Sequence, residues 1–340
     1  MSLTRREIAE QPAALAAVLA RAAELAPAVE AIRACRRVAL VGRGSSGNAG
    51  LYAEHLLGRY TSLAVSRLRP SLQSVYARPI QLDDAFLVAT SQSGRSPDVV
   101  AVVEAATAAG RPTLAITNDP ASPLAEAAGH VFDLGVGRED AVAATKTYTA
   151  SLAAFAMLAV GLSPALEEAD LAAVPDAVAA VLATQDDAAA DLAARLAGAD
   201  HLMVSGRGPN LATAAEVALK ITELTGTPTG AWSPAELQHG PVAALGPEAA
   251  LLGIAFAGPA LAGVREAFAA ATARRARVAA ITDQPGPVEF VAALRLAPIG
   301  EWLSPFPATV AGQLLAVALS ERGAVETDRP FGLRKVTLTR

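Results

Sequence analysis

The sequence predicts an α/β protein in which two copies of one domain each form a parallel sheet covered on both faces by helices. One observation is an internal repeat, because three segments recur in the same order at offsets of 164 or 165 residues. The paired segments are 37–44 with 201–208, 86–94 with 251–258, and 114–118 with 278–283. A second observation is that apolar, strand-like runs alternate with alanine-rich helical stretches, which is the pattern of βαβ units.

The chain length sets the expected number of domains. The 340 residues exceed what one domain usually needs, and two domains of about 150 residues each agree with the repeat. We expect an N-terminal helical arm over 1–34, a first domain over 35–165, a helical connection over 166–197 and a second domain over 198–340. Ligands of open parallel sheets bind beyond the carboxyl ends of the strands, so the glycine and serine clusters there mark the candidate site.

Composition and charge argue against several classes of partner. The net charge is −5 and there is no basic tract, which disfavours nucleic acid and anionic membrane surfaces. The most apolar run, 151–162, is shorter than the roughly 20 residues that span a bilayer. Cys35 is the only cysteine and the N-terminus shows no apolar signal region, so we expect a cytoplasmic protein. Potential ligands do not cluster at metal-binding spacing, and we expect no metal and no organic cofactor.

Lysine is scarce in this chain. Among the 28 basic residues only Lys146, Lys220 and Lys335 are lysines. Because arginine carries the general surface charge, each lysine is a candidate for chemistry that a guanidinium cannot perform, such as losing a proton and attacking a carbonyl. Persistence by chance is the alternative. We expect Lys146 to position the helix that begins within 144–149.

Two loops rich in hydroxyl groups follow strands of the first copy. Residues 42–48 (GRGSSGN) precede a helix predicted to begin near Ala49, and their glycines, hydroxyls and free N–H groups suit a phosphate monoester, although a plain capped turn would look similar. Residues 91–96 (SQSGRS) offer more donors than one helix cap needs. The matching stretch of the second copy, 255–260, has no hydroxyl, so we expect only the first copy to bind phosphate.

The helix predicted over 210–224 has two faces at helical spacing. One face is apolar and predicted to be core, and the other alternates charges. The residues are Val217, Ile221 and Leu224 on the first face and Glu216, Lys220 and Glu223 on the second. The charged face is either a solvated surface with an i,i+4 ion pair or a catalytic pair in which a carboxylate acts as carbon base beside an ammonium.

Two further segments carry candidate groups. His239 lies in 236–241 (ELQHGP), which we expect to be a rigid loop, and the following Gly-Pro favours a proton-transfer role over a core histidine. Lys335 follows a turn at Pro330 and Gly332. A frayed tail is the alternative, but the alternating apolar residues at 336 and 338 (Val336 and Leu338) favour an ordered, docked end.

These motifs together resemble the double sugar-isomerase (SIS) domain family, and in particular the isomerase half of glucosamine-6-phosphate synthase. The resemblance covers nearly the whole chain through SQSGRS, ATKTYT, ALKITEL, ELQHGP and RPFGLRK. It implies a flavodoxin-like three-layer sandwich for each domain and a phosphosugar ligand. The implied phosphate-binding residues are Ser45, Ser46, Ser91, Gln92, Ser93 and Ser96, and Gly44, Val142 and Glu216 are weaker pocket candidates.

The resemblance also implies catalytic roles. Glu223 would shuttle a proton between C1 and C2, with Lys220 beside it, and Lys335 would form a Schiff base with the ketose. His239 would open the sugar ring and come from the partner subunit, which implies a homodimer with shared active sites.

The synthase has an N-terminal glutaminase domain, whereas this sequence begins within about 10 residues of its isomerase-like part. We therefore expect a glucosamine-6-phosphate deaminase that releases ammonia. A fructosamine-6-phosphate deglycase, a related galactosamine or tagatose-type enzyme and a non-catalytic phosphosugar sensor remain alternatives. Gln238 replaces the usual lysine before the histidine and Arg95 the usual acid after SQSG, which leaves the identity of the sugar open.

Overall fold

The computed structural model describes residues 1–78, 81–285, 292–330 and 332–335. The chain forms two compact units, each discontinuous in sequence. The described residues of the first unit are 13–78, 81–139, 146–173 and 334–335, and those of the second lie within 1–12, 140–145 and 174–333. The domain boundaries expected from the sequence stay predictions.

The helices and strands of residues 1–173 are α1 (Leu3–Ala9), α2 (Gln11–Leu19), a 3-10 turn (Ala22–Leu25), α3 (Ala26–Arg33), β1 (Arg37–Val41), α4 (Gly44–Tyr60), β2 (Ala64–Arg67), α5 (Ser71–Ser74), β3 (Ala85–Thr90), α6 (Pro97–Ala108), β4 (Thr113–Thr117), α7 (Pro123–Ala127), β5 (His130–Asp133), α8 (Lys146–Leu162) and α9 (Glu168–Leu171). Those that follow are α10 (Val174–Thr184), α11 (Asp186–Leu196), β6 (His201–Ser205), α12 (Asn210–Thr225), β7 (Thr229–Trp232), α13 (Pro234–Gln238), a 3-10 turn (Pro241–Ala244), β8 (Ala249–Ala255), α14 (Leu261–Ala273), β9 (Arg277–Thr282), β10 (Ala292–Arg295) and α15 (Pro305–Arg322).

Each unit contains one five-stranded sheet, and the two sheets have the same topology. The strand order is β2-β1-β3-β4-β5 in the first unit and β7-β6-β8-β9-β10 in the second, and all neighbouring strands are parallel. The predicted repeat partners therefore occupy equivalent strands. The predicted fold class, two parallel α/β sheets flanked by helices, is confirmed.

The central strands are buried on both faces. Every residue of β3 and of β8 is buried, as expected for a parallel strand with helices on both sides of the sheet. In the second unit α12 packs closely on α15 because Gly312 has no side chain: a Cβ at Gly312 would lie 2.2 Å from Cγ2 of Val217. This close approach fixes the position of α12, which carries the predicted catalytic carboxylate.

Candidate active site

The two hydroxyl-rich loops lie side by side at the carboxyl edge of the first unit's sheet. Strands β1 and β3 are neighbours, and Val41 pairs with Ala89 immediately before the loops begin. Helix α4 begins at Gly44, not near Ala49 as predicted, because the bond from its N-cap Arg43 to Asp98 holds the first turn in place; Gly44 itself has a positive φ of 50°. The predicted phosphate-binding residues lie in the first turn of α4 and in the loop before α6: Ser45, Ser46, Ser91, Gln92, Ser93 and Ser96.

An ion pair that the sequence did not predict joins the first loop to helix α6, which follows the second loop. Arg43, at the N-cap of α4, donates from Nε to Oδ2 of Asp98 at 2.7 Å. Asp98 stands in the first turn of α6, its side chain is fully buried, and its Oδ1 accepts from the N–H of Val99 at 2.9 Å. The buried carboxylate therefore holds the first loop against the helix that follows the second loop.

A cavity of about 70 Å³ lies beside the first loop. Its lining includes Gly42, the hydroxyl-bearing Ser46, Arg43, Arg67 and Arg69. Arg43 pairs with Asp98 and Arg67 with Glu54, so carboxylates already compensate two of these three guanidinium charges. Arg43 is visible in the first loop of the sequence. No sequence pattern, however, places Arg67 and Arg69, at and just after the end of β2, beside that loop.

Gly94 holds the second loop in a conformation that only glycine adopts without strain. Its φ is +60°, and a Cβ there would lie 2.0 Å from Oγ of the buried Ser122. We expect Gly94→Ala to lower the free energy of unfolding by about 2–3 kcal/mol, measured by chemical denaturation. The matched control is Gly58→Ala in α4, where nothing lies within 4 Å, and it should not destabilise the protein. Equal stability of the two variants would contradict this description of the loop.

Helix α12 carries a buried ammonium between two carboxylates. The side chain of Lys220 is 2% exposed; its Nζ lies 3.5 Å from Oε1 of Glu216 and contacts Oε2 of Glu223. Glu216 is fully buried and Glu223 is 23% exposed. The alternative of a solvated charged face is therefore wrong for Glu216 and Lys220, whereas Glu223 is the member of the cluster that reaches solvent.

The opposite face of α12 is core, as predicted. Val217, Ile221 and Leu224 are at most 1% exposed. The start of α12 is fixed to α15 by a hydrogen bond from Nδ2 of Asn210 to Oγ of Ser304 at 2.7 Å, and both residues are buried. The charged cluster thus stands on a helix that is anchored along its apolar face and at its N-terminus.

His239 caps a short helix and does not lie in a purely irregular loop. Residues 236–238 belong to α13, which begins after Ser233, and Oγ of Ser233 accepts from the N–H of Glu236 at 3.2 Å. His239 is the exposed C-cap, and Gly240 follows with a φ of 145°. The sequence signal for this helix was the Ser-Pro-x-Glu start at Ser233.

The tail lysine meets a buried carboxylate in the first unit. Nζ of Lys335 donates to Oε2 of Glu139 at 2.6 Å; the Glu139 side chain is fully buried and that of Lys335 is 22% exposed. The predicted apolar anchors Val336 and Leu338 lie outside the described residues. The weaker candidate Val142 is half-buried and belongs to the second unit.

Two other residues singled out in the sequence, Lys146 and Cys35, do not point to a second catalytic centre. Lys146 is buried at the start of α8. Burial and, to a smaller extent, the charge of Asp84 raise the pKa of the Cys35 thiol, which makes this cysteine a poor nucleophile.

Among the described residues no group of three His, Cys, Asp or Glu side chains could hold a metal ion. In the same part of the chain no helix has the length and apolar character needed to cross a membrane.

The SIS domain model matches residues 31–161 and 195–287, which include both hydroxyl-rich loops, α12 and α13. The chain belongs to the SIS domain family. This SIS protein is 31% identical over 312 residues to the glutamine–fructose-6-phosphate aminotransferase (isomerizing) of Gloeobacter violaceus, an alignment that covers 88% of this chain and 51% of that protein. The chain therefore spans about half the length of the curated relatives it matches.

Solved structures share the SIS architecture over the whole chain. A protein from Silicibacter pomeroyi, described as a candidate phosphosugar isomerase, superposes with a TM-score of 0.86 at 32% identity and covers 96% of this chain and 100% of that one. A glucosamine-6-phosphate deaminase from Thermotoga maritima superposes with a TM-score of 0.77 at 20% identity, covering 99% of this chain and 100% of that one. The second likeness shows a common fold only.

Proposed function

We propose that this SIS protein is an isomerising deaminase that converts glucosamine 6-phosphate and water to fructose 6-phosphate and ammonia. The observation that carries the proposal is the cluster on α12: a buried ammonium, Lys220, holds the partly exposed carboxylate of Glu223. Such a carboxylate can take a proton from carbon and return it to the neighbouring carbon, and the adjacent ammonium can serve an oxygen or nitrogen. Similarity to an isomerizing aminotransferase supports the same chemistry.

The hydroxyl-rich loops are assigned to the phosphate group. They bring serine hydroxyls, the free N–H groups of the first turns of α4 and α6, and a glycine-lined backbone to one edge of the sheet. In the duplicated unit the equivalent stretch, 255–260, has no hydroxyl. The proposal therefore assigns one phosphate site to each chain.

The proposed reaction has four steps. His239 assists opening of the sugar ring, and Glu223 takes the C2 proton and returns it to C1, which leaves an imine at C2. The amine of Lys335 then attacks C2 and expels ammonia, with Lys220 protonating the departing nitrogen or an oxygen. Water hydrolyses the resulting Lys335 imine to release fructose 6-phosphate.

A substrate panel tests this proposal. Ammonia release is measured with the 6-phosphates of glucosamine, galactosamine, N-acetylglucosamine and a fructosamine. We expect ammonia release from the 6-phosphates of the two free 2-amino sugars, glucosamine and galactosamine. We expect none from N-acetylglucosamine 6-phosphate, because an amide nitrogen cannot form the C2 imine. Release from the fructosamine alone would favour the deglycase alternative, and binding of all four without turnover would favour a sensor.

A homodimer with shared sites is part of the proposal and predicts complementation between inactive variants. His239 is exposed on the single chain, as a residue that serves a second subunit would be. Mixing His239→Ala with Glu223→Gln protein should restore partial ammonia release, because hybrid dimers hold one site with both residues intact. Hybrid dimers that form, as shown by mass spectrometry, but have no activity would contradict shared sites.

A further inference from the structure

Glu139 is a buried carboxylate that was not predicted from the sequence. Its Oε2 accepts from Nζ of Lys335 at 2.6 Å and from Oγ1 of Thr147 at 2.8 Å, while its Oε1 accepts from the N–H of Thr147 at 3.1 Å. All three residues belong to the first unit. A carboxylate that loses its water needs such partners, because burying an uncompensated charge is costly.

The three donors differ in how firmly they are held. Thr147 is buried in the first turn of α8, where free N–H groups and the positive end of the helix dipole stabilise a negative charge. Lys335 is partly exposed and lies on the tail of the chain. Helix α8 therefore fixes Glu139 whether or not the lysine is present, and Lys335 is the partner that can leave.

We propose that Glu139 is the positioning residue for Lys335, which it holds as an ammonium between turnovers and from which it accepts a proton when the amine reacts. The inference rests on the proposed function, since it supplies the neutral amine that the third step requires. A lysine can attack only after losing a proton, and the nearest acceptor described is Oε2 of Glu139, already hydrogen-bonded to Nζ.

A proton passes from Nζ of Lys335 to Oε2 of Glu139, and the freed lone pair forms a bond to C2 of the protonated imine. Nζ passes one of its protons to the former imine nitrogen, the bond from C2 to that nitrogen breaks with its electron pair, and ammonia leaves, which gives the protonated Lys335 imine. Water then adds at C2, the bond from C2 to Nζ breaks, and the products are the ketone and the Lys335 ammonium. The proton on Glu139 leaves with ammonia as ammonium, and the ion pair forms again.

The test separates lysine chemistry from carbon-proton transfer. Borohydride trapping with fructose 6-phosphate reports the Lys335 imine, and exchange of the C1 hydrogen of fructose 6-phosphate with solvent deuterium reports the base Glu223. We expect Glu139→Gln to lower the trapping rate and ammonia release by about 10²-fold and to leave the exchange within about twofold of the parent. Glu139→Asp should recover part of the trapping, because it keeps the carboxylate.

The control is Glu326→Gln, which removes an exposed carboxylate that lies 3.9 Å from Arg329, and it should leave both rates unchanged. Thr147→Val keeps Glu139 but removes one hydrogen bond to Oε2, and we expect about a fivefold loss of trapping with normal exchange. If Glu139→Gln does not fold, the trapping rate of Thr147→Val tests the role of Glu139 instead.

Three results would overturn the assignment of Glu139. Parent-like trapping in Glu139→Gln would show that another group takes the proton. If trapping and exchange fall equally, and Glu139→Asp does not recover trapping, the ion pair between Lys335 and Glu139 has only a structural role. If the parent protein itself neither traps a ketose nor releases ammonia, the proposed function fails and the role of Glu139 fails with it, which is distinguishable from failure of the variant alone.

Discussion

Glu223→Gln is expected to lower the turnover of glucosamine 6-phosphate by about 10²-fold or more while phosphosugar binding persists. Glutamine keeps the shape of the side chain but cannot accept a proton from carbon. Because Glu216 remains 3.5 Å from Lys220, the buried ammonium keeps one carboxylate partner and the helix should fold normally. Ammonia release and calorimetric binding of fructose 6-phosphate measure the two effects.

The control for this prediction is Glu266→Gln, on the exposed face of α14 in the same unit, which should have parent-like turnover. Solvent exchange at C1 should be lost in Glu223→Gln together with turnover, because both need the same base. Near-normal turnover in Glu223→Gln would place the base elsewhere.

Lys335→Arg is expected to abolish borohydride trapping of fructose 6-phosphate, although the positive charge is kept. A guanidinium can still pair with the carboxylate of Glu139, so the tail contact should survive, but it cannot form an imine. Peptide mapping by mass spectrometry should place the adduct of the parent protein on Lys335. An adduct on Lys220 or Lys146, or full activity in Lys335→Arg, would overturn the Schiff-base role.

The sequence was most informative where the pattern is local and repeated. Alternating apolar strands and alanine-rich helices, at a constant offset of about 164 residues, predicted both sheets and their shared topology. Helical spacing also predicted the core face of α12, including Val217 and Leu224. These features depend on residues that are close in sequence, so the periodic pattern of apolar residues is enough to predict them.

Helix starts were less predictable. The residues of the first turn of α4 are Gly44, Ser45, Ser46 and Gly47, which are poor helix formers, so the start was placed near Ala49. The sheet edge and the bond from Arg43 to Asp98 hold this turn in place, and tertiary contacts of this kind override propensity. The short helix before His239 was missed although its Ser-Pro start was present in the sequence.

Long-range pairs could not be predicted at all. Lys335 and Glu139 are 196 residues apart in the chain, and Arg43 and Asp98 are 55 apart, so no spacing rule connects them. The scarcity of lysine identified Lys335 as a candidate reactive group. It gave no information on which residue accepts the proton of Lys335.

The stoichiometry of products from glucosamine 6-phosphate distinguishes a deaminase from a simple isomerase. Parent protein is incubated with the substrate, and ammonia and fructose 6-phosphate are quantified in the same samples over time. We expect both to appear at equal rates, one ammonia for each fructose 6-phosphate, and neither to appear with Glu223→Gln. Fructose 6-phosphate formed from glucose 6-phosphate, with no ammonia released from glucosamine 6-phosphate, would contradict the deaminase and leave a simple isomerase.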